Sequence, residues 1–346
     1  VSREFTPNVS TWGVDPSLHV RFEADTMGGS VPHLASPCGV HLDIAASRRA
    51  LIRLMIQYQG RVYRPPSEAE SLILQATLGC SYNDCTFCGM YRDKPFRVRK
   101  LDEVLAEIDW AKRTLGDVHK VFLADGDALI AKTDYLEAIC RACYDAFPGL
   151  RRVSCYASPQ ALDKRSVDEM KRLREAGLTQ YYLGVESGHD EVLENLKKGI
   201  DAKNMIRVAQ KAHTAGVKLS TMILLGVGGR RLSREHALES ARVISAIGPR
   251  YVSTLVVTPV EGTPLHDQAL AGAFDDLTPA ELSLELRTFV AALELERTIF
   301  RSNHASNYLP LAGNFPKDKA RLVAELDAVL ASEDPKNYRP EWVRGL

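Results

Sequence analysis

From residue 71 onward the chain alternates short apolar runs with stretches of helical period. Residues 72–78 form a largely apolar run of strand length. Residues 101–115 then place Leu101, Val104, Leu105, Ile108 and Leu115 on one helical face. Further strands are predicted at 121–123, 153–156, 181–185, 217–225 and 251–257. Helices are predicted between them, through Tyr135, Leu136, Ile139, Cys143 and Phe147, over 166–176, 192–196, 205–215 and 233–247. Gly177 and Gly216 follow two of these helices, where a left-handed residue ends the turn. Six strand–helix units in this order mean parallel strands with right-handed crossovers. Periodicity alone leaves an open doubly wound sheet and a barrel equally allowed. Residues 279–297 and 317–330 read as further helices outside that core. The first 70 residues are less regular: turn residues break 26–30 and 36–39, and 44–58 reads as a helix with a basic face. Tyr63-Arg64-Pro65-Pro66 then enforces an extended entry.

The chemistry concentrates directly after the first run. Cys80, Cys85 and Cys88 fall within nine residues, four then two residues apart. Three thiolates on one short loop are soft ligands suited to zinc or iron–sulfur iron. A closed zinc site needs a fourth Cys or His at finger spacing, and none follows. Three thiolates on a [4Fe–4S] cluster leave one iron open to a ligand.

The strand, the cysteine loop and the aromatic residue before the third cysteine together resemble the radical S-adenosylmethionine (SAM) superfamily. The usual spacing there is three residues then two, so this loop is one residue longer. The resemblance implies a six-unit partial TIM-like α/β barrel over residues 71–260, with 1–70 an N-terminal extension and 261–346 a C-terminal helical cover. It implies a [4Fe–4S] cluster on Cys80, Cys85 and Cys88 whose open iron chelates SAM. Reductive cleavage would then give a 5′-deoxyadenosyl radical that abstracts hydrogen from substrate. Phe87 matches the family's aromatic position near the adenine. Asp125-Gly126-Asp127 stands where the family has a Gly-Gly-Glu-like run holding the methionine amino group, and either aspartate suits that role. Glu186 and Ser187 resemble the residues approaching the ribose, while Ser187 also suits a helix cap. Leu224 and Gly226 resemble the fifth-strand motif against the adenine, although Arg230 stands where a Glu commonly closes it. Pro259 to Leu265 resembles a segment shared by haem-pathway and tRNA-modifying members.

Other features carry ordinary alternatives. Cys140 and Cys143 lie on an apolar stripe and Cys155 lies mid-strand, so all three read as core. Residues 92–100 hold five basic side chains, read either as a solvated face, as a dock for an acidic electron donor such as flavodoxin or ferredoxin, or as a grip on carboxylates. The polar run 300–308 reads as an inter-element network or as a substrate-facing strap, in which Arg301, His304 and Tyr308 are the candidate catalytic residues.

With 45% hydrophobic and 25% charged residues, the composition is that of an ordinary globular protein. Zero formal net charge implies no bulk attraction to nucleic acid or anionic membrane. No uninterrupted apolar run reaches bilayer length. Seven cysteines, three of them clustered, point to a reducing cytoplasm. The polar start is no signal peptide, and its lack of Met implies a processed or trimmed beginning. Only Cys38 precedes the cysteine loop, and no cysteine follows Cys155, so neither the methylthiotransferase set nor a C-terminal auxiliary cluster is encoded. The expected function is that of a single-cluster radical SAM oxidoreductase acting on a small-molecule substrate, by oxidation, rearrangement or decarboxylation. The alternatives are a non-catalytic haem-trafficking or iron–sulfur protein on the same fold, and a tRNA-modifying enzyme.

Overall fold

The computed structural model describes residue 56, residues 58–332 and residues 334–344. The predicted loops before residue 40, Cys38 and nearly all of the predicted helix 44–58 lie outside them.

Eight strands form one sheet: β1 (Leu72–Gln75), β4 (Lys120–Ala124), β5 (Arg152–Ala157), β6 (Leu178–Glu186), β7 (Lys218–Leu225), β8 (Tyr251–Val256), β9 (Ile299–Ser302) and β10 (Leu311–Asn314), paired in that order. All neighbours are parallel except β10, which runs antiparallel to β9. Two-residue strands β2 (Thr77–Leu78) and β3 (Arg97–Val98) make a separate ribbon. The apolar run at 72–78 is therefore broken at Ala76: its amide bonds the Ala124 carbonyl, and the chain then leaves the sheet to pair with 97–98.

The intervening helices are α1 (Leu101–Thr114), α2 (Thr133–Ala146), α3 (Pro159–Lys164), α4 (Val167–Glu175), α5 (Asp190–Asn195), α6 (Ala202–Thr214), α7 (Gly229–Ile247), α8 (Pro264–Leu270), α9 (Pro279–Ala292) and α10 (Lys319–Ser332). Short α3 was invisible in the pattern; Ser158 caps it through its hydroxyl. Capping boxes at Ser166–Glu169 and Thr278–Glu281 start α4 and α9.

Alternation along the strands separates two faces. Leu74, Leu123, Val153, Cys155, Leu183 and Leu225 point outward into the core beneath the helices. Each fully buried aliphatic side chain there contributes about 1.5–3 kcal/mol. Cys140 and Cys143 belong to that core, as their stripe foretold. The concave face carries Ile73, Phe122, Tyr156 and Tyr182, with Tyr58 and Val62 packed against them. At its floor Glu68, fully buried, accepts from Arg152 (2.6 Å), Ser154 (3.0 Å) and Tyr182 (2.5 Å).

The six expected strands and their helices are present, so the chain is an α/β partial barrel. The expectation of helices alone after residue 260 misses β9 and β10, which extend the sheet. Their hydrophobic signal is short: Phe300 and Leu311 are their buried apolar side chains.

Candidate functional site

The cysteine loop leaves β2 at the carboxyl end of β1 and is tied down on every side. Asp125, just beyond β4, accepts from Gln75 Nε2 (3.2 Å), the Gly79 amide (3.1 Å) and Lys94 Nζ (3.1 Å). Asp127 accepts from Ser81 Oγ (2.5 Å), and from the Ser158 amide (2.9 Å) and hydroxyl (2.7 Å). The Gly126 amide bonds the Gly79 carbonyl (3.1 Å). Thr86 holds the loop centre, its amide on the Leu196 carbonyl and its carbonyl on the Leu265 amide, both at 3.0 Å. Arg92 reaches back to the Cys85 (2.6 Å) and Cys88 (2.8 Å) carbonyls.

These ties bear on two expectations. Both Asp125 and Asp127 are fully buried and engaged by protein donors, so they brace the loop. Burial raises both carboxyls' pKa values against these hydrogen bonds. The basic run is exposed only in part. Lys94 pairs with Asp125 in the interior, Arg99 is buried against Glu107 (2.8 Å), and Arg92 is spent on loop carbonyls. Arg92, Arg97 and Lys100 of the five stay exposed. Charge counting misreads the run because the partners lie on other elements.

The three thiols sit on this one loop, Cys85 buried and Cys80 and Cys88 half-buried. Burial, with Asp127 nearby, pushes the Cys80 thiol up to about 12, and burial also raises Cys85 and Cys88. Cys80 Sγ donates to the Tyr82 carbonyl (3.2 Å), and the thiols are not drawn into a closed ligand set among the described residues. Binding of iron would release those protons. The donor set fits a thiolate-held cluster: three soft ligands, braced from behind, with an ammonium beside them.

That ammonium is Lys198, which sequence reading missed. Two adjacent lysines before a glycine look like a solvated helix end. Instead Nζ bonds Glu186 Oε1 (2.9 Å) and lies 5.9 Å from the Phe87 ring centroid. Burial works against its charge, but Glu186 and Cys85 outweigh it and hold its pKa above the ordinary value. Glu186 ends β6 at a register shift, with φ 65° in the left-handed region. A non-glycine residue held there costs about 1–3 kcal/mol. Gly184 makes the room: a Cβ on it would stand 1.9 Å from Glu186 Oε1. Such a bulge re-aims a side chain at a strand end.

Ser187 turns the other way. Fully buried, its hydroxyl meets His236 Nδ1 (2.8 Å) on α7 and accepts from the His189 amide (3.0 Å). Glu285 of α9 accepts from the Gly226 amide (2.6 Å) and Ser233 (2.5 Å), and lies 3.7 Å from His236 Nε2. Burial lifts Glu285 to about 7 and lowers His236 to about 4. Arg230, standing where the resembled motif has a Glu, pairs with Glu281 on the same α9 (2.9 Å). Helix α9 thus supplies carboxylates to the Gly226 turn from sixty residues downstream, beyond the reach of a local motif.

Leu224 joins Val192, Leu196, Val257 and Leu265 in an apolar cluster at the mouth, against which Phe87 packs. Phe87, Leu224 and the Glu186–Lys198 pair therefore face one region, beside the cysteines. Gly226 and Val257 also line a cavity of about 160 Å³ with Tyr308, Glu341 and Arg344. Tyr308 donates to Glu341 (2.9 Å), and its ring lies 3.8 Å from the Arg344 guanidinium carbon. His304 Nδ1 turns onto Ser306 (2.9 Å), its carbonyl takes Arg339 (3.0 Å), and burial lowers its pKa. Asn307 bonds the Val256 amide (2.9 Å) and Thr254 carbonyl (2.8 Å). The run is thus largely a network binding β8 to the C-terminal tail. Arg301 differs: register aligns Gly184, Met222, Ser253 and Arg301 across four strands on the concave face. It is exposed there, bonds the Phe300 carbonyl (2.8 Å), and has no carboxylate partner among the described residues.

A family model described as the Radical SAM superfamily matches residues 74–257, more than half of the chain. An uncharacterized protein of Methanocaldococcus jannaschii is 28% identical over 120 residues, covering 34% of this chain and 37% of that protein. A tRNA-2-methylthio-N(6)-dimethylallyladenosine synthase of Aromatoleum aromaticum is 26% identical over 219 residues, 59% of this chain and 48% of that protein. Less than half of either relative's own length is matched. Among solved structures, a methylornithine synthase aligns with a TM-score of 0.48 at 17% identity, covering 84% of this chain and 78% of that chain. No helix among the described residues is long and apolar enough to cross a membrane. The chain belongs to the radical SAM superfamily, whose members bind a [4Fe–4S] cluster and SAM.

Proposed function

We propose that this protein cleaves SAM reductively and uses the resulting radical to abstract hydrogen from a small-molecule substrate in the barrel lumen. The observation carrying this reading is the Glu186–Lys198 pair set against Phe87 beside the cysteine loop. When bound, the reduced cluster supplies the electron that breaks the sulfonium carbon–sulfur bond and yields the 5′-deoxyadenosyl radical. Cys80, Cys85 and Cys88 hold the iron, while Asp125 and Asp127 keep their loop in place from behind. Glu186 accepts the ribose hydroxyls, as carboxylates do in dinucleotide sites. Phe87, Leu224 and the Gly226 turn enclose the adenine. With both aspartates occupied, the methionine amino group is left to backbone carbonyls of the Asp125–Asp127 turn. Arg301, on the lumen wall, takes an anionic group of the substrate, and the polar run behind it shields that wall. An electron donor docks beside the cysteine loop, where Met90, Phe96, Val98 and Val260 are exposed.

A second reading, modification of tRNA, is favoured by the tRNA methylthiotransferase among the relatives. One experiment decides between them. Reconstituted, reduced protein is given SAM with either a metabolite extract or unmodified tRNA, and 5′-deoxyadenosine is measured. Stimulation by the small-molecule fraction alone supports the first reading; stimulation by tRNA alone replaces it with the second.

A further inference from the structure

Tyr91 follows the third cysteine by three residues, and its side chain is only 2% exposed. Its packing is specific. Tyr63 meets the ring edge-on with centroids 5.5 Å apart, and Lys94 Nζ lies 5.6 Å from the ring centroid. Gly126 leaves the space that the ring edge fills. A Cβ there would stand 2.5 Å from Tyr91 Cε2 and 3.0 Å from Cys80 Cβ, so tyrosine and cysteine rest on one glycine surface. The Tyr91 backbone is fixed as well, its carbonyl accepting from Asn83 Nδ2 (2.9 Å) and the Lys94 amide (3.2 Å).

Nevertheless the Tyr91 hydroxyl has no hydrogen-bond partner among the described residues. The charged or ionisable groups it faces are Tyr156, Asp125, Cys88 and Cys80. Asp125 is already satisfied by Gln75, Gly79 and Lys94. Burial raises the phenol's pKa well above its ordinary value, so it stays protonated and is a donor. A buried hydroxyl left unpaired is costly, and a phenylalanine ring would pack in its place without that cost. The ring edge next to the unmet donor stands beside Cys80 on the Gly126 surface, where cluster sulfur would be the acceptor. Hydrogen bonds to cluster sulfurs stabilise the more negative reduced state and raise the potential.

We propose that Tyr91 donates its hydroxyl hydrogen bond to a sulfur of the bound [4Fe–4S] cluster and so eases its reduction. The inference rests on cluster binding by Cys80, Cys85 and Cys88, and needs neither SAM nor substrate. Wild type and Tyr91→Phe are reconstituted anaerobically, their iron and sulfide content is measured, and the midpoint of the one-electron couple is followed by EPR without SAM. Phe keeps the ring packing and removes only the donor. The variant is expected to load fully and to be about tenfold harder to reduce, a midpoint lower by about 59 mV. A fluorinated tyrosine at position 91, a more acidic donor, is expected to shift the midpoint upward. Loaded proteins with equal midpoints overturn the inference alone. A wild type that takes up no cluster overturns the cysteine-loop reading and the inference with it.

Discussion

The wall of the barrel bearing the cysteine loop and the wall bearing Arg301 are built on opposite plans. On the first, nearly every charged side chain is consumed within the protein: Asp125 by Lys94, Asp127 by two serines, Arg92 by cysteine-loop carbonyls and Arg99 by Glu107. On the second, Arg301 is exposed on the concave face with backbone carbonyls as its protein acceptors. Rigid, self-satisfied polar groups suit a site that must hold a cofactor in one geometry. An unpaired guanidinium suits a site that waits for a ligand. Between them lies the Glu186–Lys198 pair, buried yet strained in its backbone.

The contrast is broken most severely at Lys94. Lys94→Met leaves the Asp125 carboxylate buried without its ammonium, and should cost about 3–5 kcal/mol in chemical denaturation together with loss of cluster uptake. A fully stable, fully loaded variant would show that the bracing is dispensable. Next is Glu285, which supports the Gly226 turn. Its rise from 4.5 to about 7 corresponds to roughly 3 kcal/mol. The unfolded chain loses this proton first, so Glu285 lowers stability as pH rises from about 4.5 to 7. Buried His236, 3.7 Å away and lowered from 6.5 to about 4, raises it between those values and nearly cancels the slope. Glu285→Gln should uncover the His236 part, so that stability rises with pH between about 4 and 6.5, read by unfolding at several pH values; an unchanged pH profile would remove Glu285 as a contributor.

Glu186→Gln sharpens the comparison at the boundary. Cluster content should stay normal while SAM binding weakens by about 1–3 kcal/mol, measured by calorimetry. Unchanged affinity would take Glu186 out of the nucleoside site. The smallest effect belongs to the open wall. Exposed charge interactions are worth about 0.2–1 kcal/mol, so Arg301→Gln should lower substrate-stimulated turnover only several-fold. Substrate-free cleavage of SAM should be unaffected. A lower melting temperature with intact stimulated turnover would make Arg301 structural.

The sequence shows the fold where periodicity is long and the site where chemistry is local. Six parallel strands, the longer helices between them and the core placement of Cys140, Cys143 and Cys155 were readable from spacing. Strands β9 and β10 were not, because four residues each give alternation too little length. Residue type alone also could not distinguish the fate of equal charges. Asp125 and Glu186 are both acidic and stand at strand ends, yet register and the donors around each decide whether it braces or faces the mouth. Lys198 and Glu285 act across twelve and fifty-nine residues of chain, so no short motif contains their partners. Tyr308 was singled out for its polar tip, but that tip holds Glu341 of the tail.

The most direct test of the account compares wild type with Cys85→Ala. Both are reconstituted with iron and sulfide, reduced with dithionite under anaerobic conditions, and given SAM. The account predicts cluster absorbance and accumulating 5′-deoxyadenosine in wild type, and neither in the variant. A wild type that loads no cluster, or a variant that forms 5′-deoxyadenosine at the wild-type rate, would contradict it.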